Sequence, residues 1–122
     1  LGNLFIAISI FSHSGNFNMN FLRSVKVDQA YIKYKLPISN LYLIRWFPKV
    51  RTEIHDHDGK TCDFMVLNGT LHEHRYLTKD RHTYYRGHTL QPFTKNTITD
   101  KDGFHQIFNF ESKVKWSVHR YL

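Results

Sequence analysis

The sequence predicts an all-β protein, a small antiparallel barrel or sandwich, and three observations carry that prediction. Short runs of branched and aromatic residues recur along the chain at close spacing. Pro, Gly and Asn-Gly steps separate those runs. No stretch shows a convincing helical period; a trace of one over residues 21–30 leaves room for a short N-terminal helix. Aromatic residues make up 16% and apolar residues 41% of the 122 residues, which suits one packed β-rich core and argues against disorder.

The first run, LFIAISIF (residues 4–11), is the most apolar. Eight residues are too few to span a bilayer. The basic residues that normally precede a signal-peptide core are missing before it. The chain starts with Leu, and Met19 offers a second start, after which the clearest pattern begins. A single domain over residues 1–122 is expected, with no role assigned to residues 1–20.

LYLIRWF (residues 41–47) sits between Pro37 and Pro48 and reads as a strand. CDFMVLNGTLHEHRYL (residues 62–77) places Asn68-Gly69 between two strand-like runs, the pattern of a β-hairpin. HTYYRGHTLQPF (residues 82–93) reads as a strand interrupted by Gly87. GFHQIFNF (residues 103–110) and KVKWSVHRYL (residues 113–122) supply two more.

The 17 Lys and Arg residues outnumber the 10 Asp and Glu, for a net charge of +7. They are scattered singly, so the expectation is a solvated basic surface rather than a nucleic-acid or membrane interface. Some of that charge can steer an anionic substrate. One cysteine excludes an internal disulfide framework and fits a reducing compartment. We therefore expect a cytoplasmic protein, and separately a monomer.

Nine histidines are present. In a strand, residues i and i+2 point to one face, so His55 and His57 can chelate one metal if that face is inward. His105, in GFHQIFNF, is the best third ligand. A second pair, His72 and His74, reads as solvent-facing, as do His13, His82 and His88. His-x-His alone is a weak sign of metal.

The surrounding residues strengthen it. His55-x-His57, then Cys62 and Gly69, resembles the first cupin motif with Cys in place of the usual Glu. His105-x-x-x-Asn109 resembles the end of the second. The exchange of Glu for Cys is similar to cysteine dioxygenase, a thiol dioxygenase family of the cupin superfamily. The matching segments are His55-Asp56-His57 with Cys62, Gly103-Phe104-His105 with Asn109, and Ser117-Val118-His119-Arg120-Tyr121. The resemblance covers residues 31–121. The family's helical N-terminal region and its tail beyond the tyrosine are short or absent in this sequence.

The resemblance implies a cupin-type antiparallel β-barrel of jelly-roll form. It implies Fe(II) held by His55, His57 and His105, with a small thiol and O2 as substrates. Three neutral imidazoles leave the ion its full charge, which suits an anionic thiolate. The product would be a sulfinic acid. L-cysteine is the first expectation; 3-mercaptopropionate and cysteamine are alternatives, as is a metal-binding or ligand-sensing cupin without turnover. Three histidines also suit Zn, Ni or Cu. The resemblance further implies a Cys62–Tyr121 thioether, with Ser117, His119 and Tyr121 forming a hydrogen-bonded relay. The family's Tyr-x-Arg, which holds a carboxylate, matches Tyr31-Ile32-Lys33. Lys33 is a point charge and cannot reproduce Arg's forked contact; Arg45 and Lys35 are possible substitutes.

Overall fold

The computed structural model describes residues 22–38 and 40–122. The LFIAISIF run and Met19 lie outside the described residues. Among these residues ten strands form: β1 (Arg23–Val27), β2 (Tyr31–Lys35), β3 (Leu41–Trp46), β4 (Val50–Arg51), β5 (Cys62–Val66), β6 (Leu71–Tyr76), β7 (Tyr84–Leu90), β8 (Asn96–Ile98), β9 (Phe104–Asn109) and β10 (Lys115–Tyr121). They build two antiparallel sheets. Sheet A has the order β1-β2-β3-β10-β5-β8, and sheet B the order β4-β9-β6-β7. This is the expected all-β jelly roll. Among the described residues, no helix is long and apolar enough to cross a membrane.

The short N-terminal helix allowed for residues 21–30 is corrected: that stretch carries β1. Arg-Ser-Val-Lys-Val is exposed along its whole length and, among the described residues, pairs only with β2, with a bulge between Ser24 and Lys26. An edge strand needs no apolar face of its own, so its sequence carries little of the alternation that marks a half-buried strand.

The Asn68-Gly69 hairpin is also corrected. β5 pairs with β10 and β8, while β6 pairs with β9 and β7. The turn therefore carries the chain from one sheet to the other. Gly69 has φ +64°, as such a turn requires. The Asn68 side chain donates to Val114 O at 3.1 Å and accepts from Trp116 N at 2.7 Å, which ties the crossing to the start of β10.

The main core lies between the sheets and gathers Ile44, Trp46, Phe64, Val66, Leu71, Leu90, Ile98 and Ile107. A second cluster covers the outer face of sheet A with Leu41, Leu43, Met65 and Val118. β5 is buried on both faces, and its one charged residue, Asp63, is paired across the ladder with Arg120 at 2.8 Å. A central strand buried on both faces needs such a partner for any carboxylate it carries.

Candidate metal centre

His55, His57 and His105 come together with their ligand nitrogens within 4.8 Å of one another. The local route to this differs from a continuous strand. His55 meets His105 in an isolated antiparallel bridge, with reciprocal backbone hydrogen bonds of 3.0 and 2.9 Å. His57 lies just past the bridge. Asp58 (φ 52°) and Gly59 (φ 83°) then reverse the chain, and Lys60 N donates to His57 O at 3.0 Å. Two successive positive φ angles favour an Asp-Gly pair. This turn delivers the chain into β5 and accounts for the short spacing between His57 and Cys62.

The hydrogen bonds select which imidazole nitrogen is free. His55 Nδ1 donates to Glu53 O at 2.8 Å, and His105 Nδ1 donates to Glu73 Oε2 at 2.8 Å. Both Nε2 atoms are then left as lone-pair donors, and they face each other at 3.0 Å. Two facing lone pairs are unfavourable without something positive between them. The separation equals that of two nitrogens held about 2.1 Å from one ion at about a right angle. Burial first, and neighbouring His105 next, hold His55 down to about 4 and His57 to about 3. The rings are neutral at physiological pH, the form that ligates. The donor set fits a divalent transition metal and includes no carboxylate.

Glu73 was missed in the sequence. It is fully buried. Its Oε1 accepts from Arg75 Nε at 2.8 Å and lies 3.1 Å from His88 Nε2, while Oε2 holds His105. Burial pushes this carboxyl upward, but the bonds from His105 and Arg75 outweigh it, so the pKa lies below the usual value. The signal was the alternation in His72-Glu73-His74-Arg75. If the two histidines face outward, Glu73 and Arg75 face inward. His72 and His74 do lie on the outer side, packed on Phe110 and Phe108. His88 departs from its solvent-facing expectation, because it faces Glu73 across the ladder.

On sheet A, Tyr121 of β10 is the direct cross-strand partner of Cys62 on β5. Directly opposed residues share a face, with Cβ atoms about 5 Å apart. Cys62 is fully buried, and burial pushes its thiol up to about 12 although Lys33 pulls the other way. It is a thiol at neutral pH. Burial, then Cys62, likewise raise the Tyr121 phenol. Ser117, His119 and Tyr121 alternate along β10. Trp46 Nε1 donates to Ser117 Oγ at 2.8 Å, and Ser117 Oγ lies 2.7 Å from His119 Nε2. Trp can only donate, so we assign the Ser117 proton to His119 Nε2 and the His119 proton to Nδ1. That nitrogen points at Cys62 Sγ, 3.7 Å away. The His119 ring stacks beside Tyr121 at 6.4 Å between centroids, so its nitrogens serve Ser117 and Cys62 rather than the phenol.

A cavity of about 540 Å³ opens beside His55 and His57 and is bounded by Tyr31, Lys33, Tyr42 and Tyr121. Lys33 Nζ lies 4.2 Å from the Tyr121 ring centre and 4.7 Å from that of Tyr42. Burial lowers its pKa, partly offset by Cys62. Lys35 also borders this cavity. Arg45 does not serve it: it lies over Trp116, its cross-strand partner, while its neighbours Ile44 and Trp46 face the inner core. A separate groove of about 560 Å³ along Arg51, Lys79 and Arg81 contains none of the three histidines.

The sequence model of a family described as cysteine dioxygenase type I matches residues 12–122. Among solved structures, the chain is similar to the Drosophila melanogaster CENP-C cupin domain, with a TM-score of 0.64 at 18% identity, covering 86% of this chain and 78% of that one. AerE from Microcystis aeruginosa gives a TM-score of 0.64 at 14% identity, covering 82% and 44%. Oxalate oxidase in complex with the substrate analogue glycolate gives 0.55 at 18% identity, covering 66% and 40%. The chain thus spans less than half the length of the last two. At these identities the likeness establishes the fold, a cupin jelly roll.

Proposed function

Because the chain belongs to the cysteine dioxygenase type I family, we propose that it is a non-haem iron dioxygenase that converts the thiol of L-cysteine to a sulfinate. The observation that carries this reading is the three-histidine group without a carboxylate, set beside a Cys62–Tyr121 cross-strand pair. The reaction balances without an outside reductant. Both oxygen atoms join sulfur, which loses four electrons, and O2 gains four. Fe(II), when bound by His55, His57 and His105, supplies the one-electron chemistry that lets O2 react with a thiolate.

The remaining work falls to the chain's own residues. Glu73 and the Glu53 carbonyl hold two imidazoles in the tautomer that presents Nε2. Lys33, braced between two tyrosine rings, attracts the substrate carboxylate as a single charge, and Tyr31 borders the same space. The Tyr121 phenol stays protonated and can donate a hydrogen bond to a bound anion. The Trp46–Ser117–His119 chain fixes the proton beside Cys62. A thioether from Cys62 Sγ to the Tyr121 ring would break the S–H and one ring C–H bond and release two protons and two electrons, which reduce O2 to hydrogen peroxide, locking the phenol in place. The lone buried thiol fits a reducing cytoplasm.

The test is anaerobic loading with Fe(II), followed by cysteine and air. Oxygen uptake with matching sulfinate is expected. Turnover of 3-mercaptopropionate or cysteamine in place of cysteine would move the substrate, not the reaction. An iron-loaded protein inert to all three would leave a metal-binding cupin without turnover. Intact-mass analysis should reveal a form lighter by two hydrogens, absent in Cys62→Ala and Tyr121→Phe. An unlinked mass alone removes the thioether.

A further inference from the structure

The cavity beside the three histidines is more positive than a single amino-acid carboxylate needs. Its wall carries Arg23, Lys26, Lys33, Lys35 and Lys60, against Asp56 and Asp58. The charges come in two tiers. Lys33 is half-buried at depth, over the Tyr42 and Tyr121 rings. Arg23, Lys26 and Lys60 are exposed at the rim. Among the described residues, no carboxylate lies in ion-pair range of Arg23, Lys26, Lys33 or Lys60.

The strand register adds an independent observation. β1 and β2 pair so that Arg23 faces Lys35 and Lys26 faces Lys33. Like charges directly opposed across a ladder are destabilising. Two such pairs sit side by side, and all four residues border the cavity. The Lys26 and Lys33 chains rest on tyrosine rings, which supply no formal negative charge, whereas an anion bound between the two tiers would offset their repulsion. The volume of about 540 Å³ falls in the range of ligands much larger than cysteine.

We infer that the substrate is a small thiol bearing two anionic groups, one held at Lys33 and the other at the Arg23/Lys26/Lys60 rim. This rests on the dioxygenase reading above and extends it: cysteine is turned over by the same reaction, and a more negative thiol is the preferred substrate. Thiol and O2 still give the sulfinate, with the same electron balance.

Two measurements test it. The first is oxygen uptake by the Fe(II)-loaded protein with cysteamine, cysteine, 3-mercaptopropionate and mercaptosuccinate, a series from cation to dianion. The expected kcat/KM rises along the series, with mercaptosuccinate about tenfold or more above cysteine at low ionic strength and that advantage shrinking with added salt. The second uses metal-free protein and succinate, which has no thiol, by calorimetry. Arg23→Ala and Lys26→Ala should each weaken succinate binding about fivefold or more, while the ligand-free thermal midpoint stays level or rises because a repulsion is removed. A merely structural role would lower that midpoint. Any of the other three thiols as the best substrate, or succinate binding untouched by both substitutions, overturns the inference and leaves the dioxygenase standing. Failure of all four thiols removes the dioxygenase instead, and the succinate arm then decides whether the cavity is a dianion site.

Discussion

Replacing Glu73 by Gln should cripple the metal centre without touching a ligand. Glu73 Oε1 faces Arg75 Nε and His88 Nε2, while Oε2 faces only His105 Nδ1. A glutamine has one acceptor oxygen, and the obligate donor Arg75 claims it at the Oε1 position. The amide nitrogen then occupies the Oε2 position and donates toward His105. His105 Nδ1 must become the acceptor, which moves the ring proton to Nε2, the nitrogen that faces His55 at 3.0 Å. The ligand lone pair is lost unless the ring pays to change tautomer. Disrupting such a supporting hydrogen bond weakens metal affinity about 10- to 100-fold, equivalent to about 1.4–2.7 kcal/mol. The assay is chelator competition with Fe(II) and with Zn(II) at a temperature where circular dichroism confirms the variant is folded. Affinity within twofold of the parent would refute the tautomer argument. The variant should also lose some stability, because bonds to a charged carboxylate contribute about 1.5–3 kcal/mol.

Other outcomes follow from the same geometry. His55→Ala or His105→Ala should abolish stoichiometric iron by elemental analysis; full occupancy in either would mean the ligands are misassigned. Ser117→Ala removes the buried partner of Trp46 Nε1 and His119 Nε2 and should cost about 1–3 kcal/mol in urea unfolding; an unchanged midpoint contradicts the assigned relay. Gly103→Ala forces a side chain at φ +89° and drives a Cβ into Tyr76 O, so soluble yield and thermal midpoint should both fall, whereas a stable, iron-binding variant would show that the turn can relax. The pH dependence has a definite sign. His55 and His57 are held to about 4 and about 3 in the folded state, below the ordinary histidine value of about 6.5. The unfolded chain therefore binds protons first, and metal-free protein should lose stability as pH falls below about 6.5 and on down through those values. The slope is at most about 1.4 kcal/mol per pH unit for each ring, less where solvent screens the half-buried sites. Equal stability at pH 7.5 and 5.5 in chelator would count against it.

What could be read in advance depended on whether a signal was local. β3 was legible because Leu41–Trp46 is branched and aromatic between two prolines. The His55 and His57 pair was legible from spacing, and Cys62 and Tyr121 from the family pattern. Asn68-Gly69 marks a change of chain direction, but the strands it joins do not pair with each other. A turn dipeptide reports chain reversal; which strands then pair is decided by burial, and β5 is buried on both faces between β10 and β8. Asp58-Gly59, the turn that shapes the site, went unnoticed because no long strand flanks it. Glu73 was hidden between two conspicuous histidines. The positive cavity was not legible, since Arg23, Lys26, Lys33, Lys35 and Lys60 stand singly in the sequence and meet only when β1 folds onto β2 beside the 55–60 loop.

The bridge between His55 and His105 has a kinetic consequence. Its two main-chain hydrogen bonds set the spacing of two ligands from the backbone itself, before any ion arrives. A socket assembled by folding differs from one that the ion must organise, as in small zinc modules that are unfolded without metal. Here the ion should come and go while the chain stays native. Stripping it should leave amide exchange at residues 55 and 105 slow, and reloading should follow ion diffusion and desolvation rather than refolding.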